Sequence, residues 1–356
     1  MSVTILVTGS TGFLGSALVE QLCASGTSHV RCFIRPHSDT TKLQHLQSKY
    51  PSTTLEYVVG NLLSATDAMR ATAEVDTVYH LAAEMRGPAP SVFANTVLAS
   101  KNLLEGIAKH NVRRVVLASS ICVYGLSALP RRAAVTEDAV LEKNPEKRDV
   151  YTFAKVKQEY LFQQYRKRSP FELVTLRPGV IYGEGANALP SRAGLRLGNW
   201  VLEIAGKSQL PLTYISNCAA AVAFAGRRHV PEGTYNILDD ELPTVADYVR
   251  LYQLYTESIV RIRVCFSLAM LFACLLEEYR AHSKGQIPAV LTPYRLKSTW
   301  GGHTFSNEKI KKVGWTPSVS TNDGILRALR ASSRKPTAAS TTLVSPLRPS
   351  LARSEN

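Results

Sequence analysis

The chain has 356 residues, 45% of them hydrophobic and 20% charged, the balance of an ordinary globular protein with room for one large domain and a smaller region. Its 42 Lys and Arg against 28 Asp and Glu give a formal charge of +14, but the basic residues fall in scattered groups such as Arg113-Arg114 and Arg166-Lys167-Arg168, with no interleaved aromatic residues. That excludes a nucleic-acid module and leaves solvated faces with a general attraction for anionic ligands.

In chain order, Ile5, Leu6 and Val7 form a short apolar run that ends in the glycine turn of "TGSTGFLG", and Phe13 to Leu22 carries apolar residues at helical spacing. Strand, turn and helix therefore follow one another. Gly9, Gly12 and Gly15 let the backbone turn tightly, let a pyrophosphate approach without a Cβ in the way and let the helix pack on the strand, while the helix N-terminus offers N–H groups to phosphate. The loop reads as a dinucleotide cradle, although three glycines alone also serve as a plain turn.

Further strands are expected at Val30 to Ile34, Leu55 to Val59, Thr77 to Leu81, Val115 to Ala118 and 171–178, with long amphipathic helices at Asn95 to His110 and Tyr151 to Lys167. Alternation at this spacing implies a parallel sheet covered on both faces, with the ligand at the carboxyl ends of its strands. After Pro178 the pattern shifts to loops and shorter helices, and 233–240 reads as a strand returning to the main sheet. The expected division is a dinucleotide-binding domain over 1–177, a mainly substrate-binding region over 178–330, and a disordered tail over 331–356, where Ser, Thr, Pro, Ala and Arg lack periodicity.

The uncharged run from Val264 to Leu276 is too short to span a membrane, which takes about 20 residues. Residues 258–276 read as a strand leading into a helix that covers substrate, packs into the core or rests on a membrane; core packing is the expected role. The six cysteines show no CxxC pair and no metal-ligand spacing, so they read as reduced, mostly buried small hydrophobes, and no metal site is expected. With the first strand starting so close to Met1, no signal peptide is expected, and the cytoplasm is the expected compartment.

The chemistry is carried by "YTFAK", which puts Tyr151 and Lys155 on one face of a helix. A phenol is a weak acid near neutrality, with a reference pKa of about 10, and a lysine cation beside it favours the phenolate. Such a tyrosine can exchange a proton with an oxygen while a hydride moves at the adjacent carbon. "VVLASSICVYG" (115–125) ends a strand in two serines, where a hydroxyl can hold that oxygen against the tyrosine.

With "VTGSTGFLG" (7–15), "VYHLAA" (78–83), "NTVLASKNLLEG" (95–106), "LRPGVIYGEG" (176–185) and "LTYISNCAAA" (212–221) in the same order, the chain resembles the extended short-chain dehydrogenase/reductase superfamily, which contains NAD-dependent epimerase/dehydratases, 3β-hydroxysteroid dehydrogenases and dihydroflavonol-reductase-like enzymes. The resemblance covers residues 3–330. It implies an α/β fold, a Rossmann-type doubly wound parallel sheet with a smaller, interleaved C-terminal substrate-binding region. Tyr151 is then the catalytic acid/base, Lys155 its pKa modulator and a contact to the nicotinamide ribose, and Ser120 the group that orients the substrate oxygen, with Asn95 helping to shape the site. Implied cofactor contacts are Gly9, Thr11, Gly12, Phe13, Leu14, Gly15, Arg35, Asn61, Leu62, Leu81, Ala82, Ala83, Tyr151, Lys155, Pro178 and Val180. Dimerisation through the Asn95 and Tyr151 helices is common in that superfamily.

The end of the second strand separates NAD from NADP, because an acid there bonds a ribose 2′-OH and an arginine accommodates a 2′-phosphate. Arg35 stands at that place, with no acid before Asp39, so NADP(H) is expected, with Arg35 on the phosphate and Ser38 or Lys42 as further candidates; NAD stays open. "GNLL" offers Asn61 where many relatives have Asp. Ile121 and Cys122 replace the acid that dehydratases carry after the serine pair, which disfavours elimination, and "RPGVIYG" is closer to the hydroxysteroid and flavonol-reductase branches. The expected function is an NADP(H)-dependent dehydrogenase or ketoreductase of a hydrophobic secondary alcohol or ketone, steroid-like or polycyclic. A sugar-nucleotide epimerase with tightly bound NAD is the alternative, and a non-catalytic cofactor-binding protein the third reading.

Overall fold

The computed structural model describes residues 4–282 and 291–333. Its first half runs β1 (Thr4–Thr8), α1 (Phe13–Ala24), β2 (His29–Ile34), α2 (Thr41–Lys49), β3 (Thr54–Val59), α3 (Ala65–Thr72), β4 (Thr77–His80), α4 (Ala89–Phe93), α5 (Ala99–Lys109), β5 (Arg114–Ala118), the short β6 (Ala134–Val135), α6 (Val150–Arg166) and β7 (Glu172–Pro178). The second half adds β8 (Val180–Tyr182), β9 (Leu195–Leu197), β10 (Trp200–Ile204), β11 (Leu212–Tyr214), α7 (Ile215–Ala225), β12 (Gly233–Ile237), α8 (Val245–Tyr255), β13 (Val260–Val264), α9 (Phe266–His282), α10 (Pro293–Trp300), β14 (Thr304–Phe305), α11 (Glu308–Lys312) and α12 (Thr321–Ala331).

Seven strands form one sheet in the order β12-β7-β5-β4-β1-β2-β3, and every pairing is parallel. The central strands β4 and β5 are buried on both faces, as a sheet covered on both sides requires, while the edge strand β3 mixes buried and exposed residues. On one face Leu18, Val19 and Leu22 of α1 pack with Ala221, Val222 and Ala225 of α7; on the other Leu103, Leu104 and Ile107 of α5 pack with Phe162 of α6. Each such large side chain stabilises the fold by about 1.5–3 kcal/mol relative to exposure. β12 joins the sheet beside β7, in register Gly233↔Val174 through Ile237↔Pro178, so the chain leaves the sheet after Pro178 and comes back to it.

The long helix expected from Asn95 to His110 begins earlier and is interrupted. α4 runs into a π-helical turn over Ala94–Leu98 before α5. An apolar stripe does not register one extra residue in a turn, and such turns often mark functional sites.

The YISN stretch is a clamp between segments. Asn217 donates from Nδ2 to Asp239 Oδ1 and to the Val319 carbonyl, both at 2.8 Å, and accepts at Oδ1 from the Ser318 and Val319 N–H groups at 3.1 and 3.0 Å. Asp239 also accepts from the Tyr182 hydroxyl and the Tyr214 N–H. Burial nevertheless pushes the Asp239 carboxyl up from 3.8 to about 6, with the Asn217, Tyr182 and Tyr214 bonds acting in the opposite sense. The folded protein thus holds this proton more tightly than the unfolded chain, so stability falls as pH rises from about 4 to about 6 and is then constant. Relative to Asp239→Asn, the wild type should lose roughly 3 kcal/mol over that interval, about two pKa units at 1.36 kcal/mol each. Denaturant melts of both proteins at pH 4, 5 and 7 check this; a constant difference means that Asp239 does not titrate there.

Residues 258–276 do form the expected strand and helix, but not the expected core element. Among the described side chains of α9 only Ala269 and Ala273 are buried, while Leu268, Leu271, Phe272, Leu275, Leu276 and Tyr279 are exposed. The small residues fit the packed face, and the large ones occupy the opposite stripe. Cys265 and Cys274 are exposed, Cys122 is half-buried, and Cys23, Cys32 and Cys218 are buried, all as free thiols, so the expected burial holds for three of the six. Among the described residues no helix is long and apolar enough to cross a membrane, and no three His, Cys, Asp or Glu side chains gather as a metal site. The expected disordered tail lies, from residue 334 on, outside the described residues.

Candidate active site

The residues expected to bind a dinucleotide gather at the carboxyl edge of the sheet, around the neighbouring strands β1 and β4 where strand order reverses. Gly9 has φ +71°, a left-handed conformation that favours glycine, and a Cβ on it would lie 3.0 Å from the Ala82 N. The glycine turn and Leu81–Ala83 are thus in contact. A Cβ on Gly15 would lie 2.0 Å from the Gly9 carbonyl oxygen, so the same turn is pressed against the first turn of α1. Gly12 is the N-cap of α1, has no side chain to bond the free N–H groups, and is exposed; no acid stands in the first turn of α1. Thr11, Phe13 and Leu14 flank Gly12 in the chain and are half-buried. Uncapped N–H groups and a positive dipole end in a cradle that a Cβ would fill suit a pyrophosphate.

Arg35 follows β2 directly and is exposed, and no ion pair engages it among the described residues. The nearby acid is turned away: Asp39 Oδ1 accepts from the Thr41 N–H at 2.9 Å and the Thr41 hydroxyl at 2.6 Å, at the start of α2. Ser38 is half-buried and Lys42 exposed in the same segment. Asn61, just past β3, uses Oδ1 to accept from the Leu63 N–H at 3.0 Å, leaving its Nδ2 as the group able to meet an adenine edge; Leu62 beside it is buried. Pro178 and Val180 lie at the end of β7 and the start of β8.

The second group sits at the ends of β5 and α6. Ser120 caps the single turn Ile121–Val123, accepting from the Cys122 N–H at 3.2 Å. Asp149 caps α6, accepting from the Thr152 N–H and hydroxyl at 2.7 and 2.8 Å, which fixes the first turn where Tyr151 stands. Burial first, then Cys122 and Asp149, push the Tyr151 phenol above its ordinary value, and the Ser120 hydroxyl acts in the opposite sense. Lys155 is 3% exposed; its Nζ donates to the Ala118 carbonyl at 2.7 Å and to Gln158 Oε1 at 2.9 Å, and lies 6.0 Å from the centre of the Tyr151 ring. Burial pulls the Lys155 ammonium down from 10.5 to about 8, with Cys122 and Glu159 acting in the opposite sense. The expected lowering of the phenol by Lys155 therefore does not hold in this structure, because desolvation dominates and the ammonium is turned toward the sheet.

A family model described as the NAD dependent epimerase/dehydratase family matches residues 5–237, spanning the glycine cradle, Ser120, Tyr151, Lys155 and β12. The chain belongs to that family. Among its curated relatives, a protein named as an uncharacterized UDP-glucose epimerase of Bacillus subtilis is 30% identical over 70% of this chain and 81% of its own. A 2-alkyl-3-oxoalkanoate reductase of Stenotrophomonas maltophilia is 25% identical over 92% of this chain and 99% of its own, and a decarboxylating sterol-4-alpha-carboxylate 3-dehydrogenase of Candida albicans is 24% identical over 90% and 95%.

Within this epimerase/dehydratase framework several functional-looking groups escaped the sequence reading. Lys155 is tied through Gln158 to a buried chain: Gln158 Nε2 donates to Ser100 Oγ at 2.8 Å and lies 3.2 Å from His80 Nε2, and His80 Nδ1 lies 2.8 Å from Thr8 Oγ1. Burial and the Lys155 charge pull His80 down to about 3, so it is neutral. Thr8 and His80 are register partners on β1 and β4, a pairing that only the sheet creates. Asn95, expected to shape the site, lies in the π-helical turn and donates to Glu84 Oε2 at 2.7 Å. Arg177, part of the "LRP" motif, is structural: it forms a buried two-point ion pair with Glu159, at 3.0 and 2.7 Å, that ties β7 to α6. An arginine at the penultimate position of a strand, with a glutamate on the helix before it, was the available signal.

Proposed function

We propose that this family member is an NADP(H)-dependent oxidoreductase that interconverts a hydrophobic secondary alcohol and its ketone. The observation that carries the reading is the joint placement of Ser120, Tyr151 and Lys155 at the end of β5, on the same sheet edge as the glycine cradle. The residues present fit a dinucleotide, with Gly9 to Gly15 at the pyrophosphate, Arg35 at the adenosine ribose, Leu81 to Ala83 along the chain and Lys155 at the nicotinamide ribose. When bound, the nicotinamide supplies or accepts the hydride. In reduction the Tyr151 hydroxyl donates its proton to the substrate oxygen, held by Ser120 Oγ; in oxidation the Tyr151 oxygen takes that proton back. Lys155, held by Ala118 and Gln158, would bond the nicotinamide ribose, while its charge, 6.0 Å from the centre of the Tyr151 ring, does not offset the burial of the phenol.

Two relatives matched over nearly their full length are named for a 3-oxoalkanoate and a sterol carboxylate, which supports a greasy substrate with a carbonyl or alcohol as the reacting group. The relative named as a UDP-glucose epimerase favours a second reading, a sugar-nucleotide epimerase with tightly bound NAD and no net change in nicotinamide redox state. A homodimer through the α5 and α6 side, where Leu98 and Tyr160 are exposed, and a place in the cytoplasm belong to the same proposal.

Cofactor choice tests the first reading. Arg35 has no competing acid, so NADPH should bind at least tenfold tighter than NADH in fluorescence titrations of cofactor-stripped protein, and Arg35→Asp should lose about 1.5–3 kcal/mol of NADPH binding, ten- to hundredfold. Equal affinities, or NAD that resists stripping, would transfer the proposal to the epimerase.

A further inference from the structure

An ammonium carries three N–H donors, and Lys155 commits two of them, to the Ala118 carbonyl at 2.7 Å and to Gln158 Oε1 at 2.9 Å. The third has no acceptor among the described residues. Two fixed acceptors on a tetrahedral group leave the remaining donor one direction. The Ala118 carbonyl belongs to the backbone of β5 and cannot turn, so whatever orients the Gln158 side chain orients the N–H that Lys155 offers to a bound molecule.

The surroundings of Gln158 allow its amide one sense. Ser100 Oγ spends its own proton on the Thr96 carbonyl at 2.5 Å, so its oxygen accepts from Gln158 Nε2 at 2.8 Å. The Thr96 carbonyl, which belongs to the π-helical turn Ala94–Leu98, itself lies 3.5 Å from Gln158 Nε2. His80 Nε2 lies 3.2 Å from Gln158 Nε2 and 2.8 Å from Ser100 Oγ. The amide nitrogen therefore faces Ser100, Thr96 and His80, and a rotated amide would set its N–H groups against the ammonium. On its other side His80 Nδ1 lies 2.8 Å from Thr8 Oγ1, which also accepts from the Ala82 N–H at 3.3 Å. Thr8 directly precedes Gly9, so the chain of bonds ends where the glycine turn touches Leu81–Ala83. Thr8, His80, Thr96, Ser100 and Gln158 are each at most 1% exposed, and a buried polar network whose members are satisfied is rigid.

We propose that Gln158, held by Ser100, Thr96 and His80, is a positioning residue that aims the free N–H of Lys155 at the nicotinamide ribose and ties that aim to the glycine cradle. Gln158 is fully buried, so it acts through Lys155 and not on the cofactor itself. The inference rests on the proposed place of Lys155 at that ribose. It is the same for net oxidoreduction and for epimerisation, since both use the bound dinucleotide.

The test titrates the cofactor-stripped full chain with NADPH or NADH, whichever it binds more tightly, and by competition with the adenosine half alone, adenosine 2′,5′-bisphosphate or ADP respectively. Lys155→Met sets the scale: the dissociation constant of the dinucleotide should rise at least tenfold, the size of a hydrogen bond from a charged group, and that of the adenosine half should stay within about twofold. Gln158→Met should raise the dinucleotide constant about five- to tenfold, leave the adenosine half alone, and cost less than about twofold more on top of Lys155→Met, because it acts through that residue. Gln158→Glu, which returns an acceptor to the ammonium, should recover most of the loss. Ser100→Ala, a milder change should Gln158→Met fail to fold, should weaken the dinucleotide about threefold, and only with Lys155 present. A loss shared equally by the dinucleotide and its adenosine half, or one that persists in full beside Lys155→Met, overturns the proposal and leaves Gln158 a packing residue. So does unchanged dinucleotide binding in Gln158→Met and Ser100→Ala where Lys155→Met weakens it. Unchanged binding in Lys155→Met is a separate failure, which removes Lys155 from the ribose and overturns that placement together with the inference built on it.

Discussion

Tyr151→Phe should lower kcat/KM by about 10³-fold while leaving the cofactor dissociation constant within about twofold of wild type. The size is that of a positioned proton donor in the transition state, 10² to 10⁴. The substitution removes one oxygen at the start of α6, and what anchors that helix is unaffected: the Asp149 cap and the Arg177–Glu159 pair lie elsewhere. The melting temperature should therefore change little, and a fall confined to kcat and kcat/KM identifies an interaction made in the transition state. Steady-state kinetics and a cofactor titration of the same preparation decide it, because turnover within tenfold of wild type would remove Tyr151 from the chemistry.

Gly15→Ala should be the most damaging single substitution in the cradle. Helix propensity alone favours alanine over glycine by about 1 kcal/mol. Sterics outweigh it here, because the new Cβ would stand 2.0 Å from the Gly9 oxygen, 2.7 Å from the Gly9 carbonyl carbon and 2.9 Å from the Ser10 Cα, all backbone atoms that cannot rotate away. α1 must then shift off the turn, at a cost of about 3 kcal/mol, near the top of the usual range for overpacking. At about 2.1 cal/mol/K per residue, a chain of this size then loses roughly 4 °C in Tm. Cofactor affinity should fall at least a hundredfold, since the phosphate cradle and the helix N-terminus separate together. Gly12→Ala is the control: its Cβ meets only the Gly9 oxygen, at 3.1 Å, on an exposed position. It should melt within about 2 °C of wild type yet bind cofactor more weakly, and equal melting temperatures for the two variants would refute the packing argument.

What the sequence by itself determined is local or periodic. Apolar runs, the first of them bounded by a glycine turn, marked β1 to β5 and β7 within a residue or two, because strand and turn preferences act over a few neighbours. Arg35 was legible for the same reason, as its meaning depends only on following β2. The four-residue spacing of Tyr151 and Lys155 was legible because a helix turns a spacing into a face. Tertiary structure alone decided the rest. It turned the Lys155 ammonium to the Ala118 carbonyl and Gln158, so that burial raises the phenol it was expected to lower. It joined Thr8, His80, Ser100 and Gln158 from four elements. It also placed the large residues of α9 outward, since its two buried alanines admit no more than a small face against the body of the protein. Desolvation and charge proximity depend on which distant segments close over a group, and no pattern within a single segment contains that information.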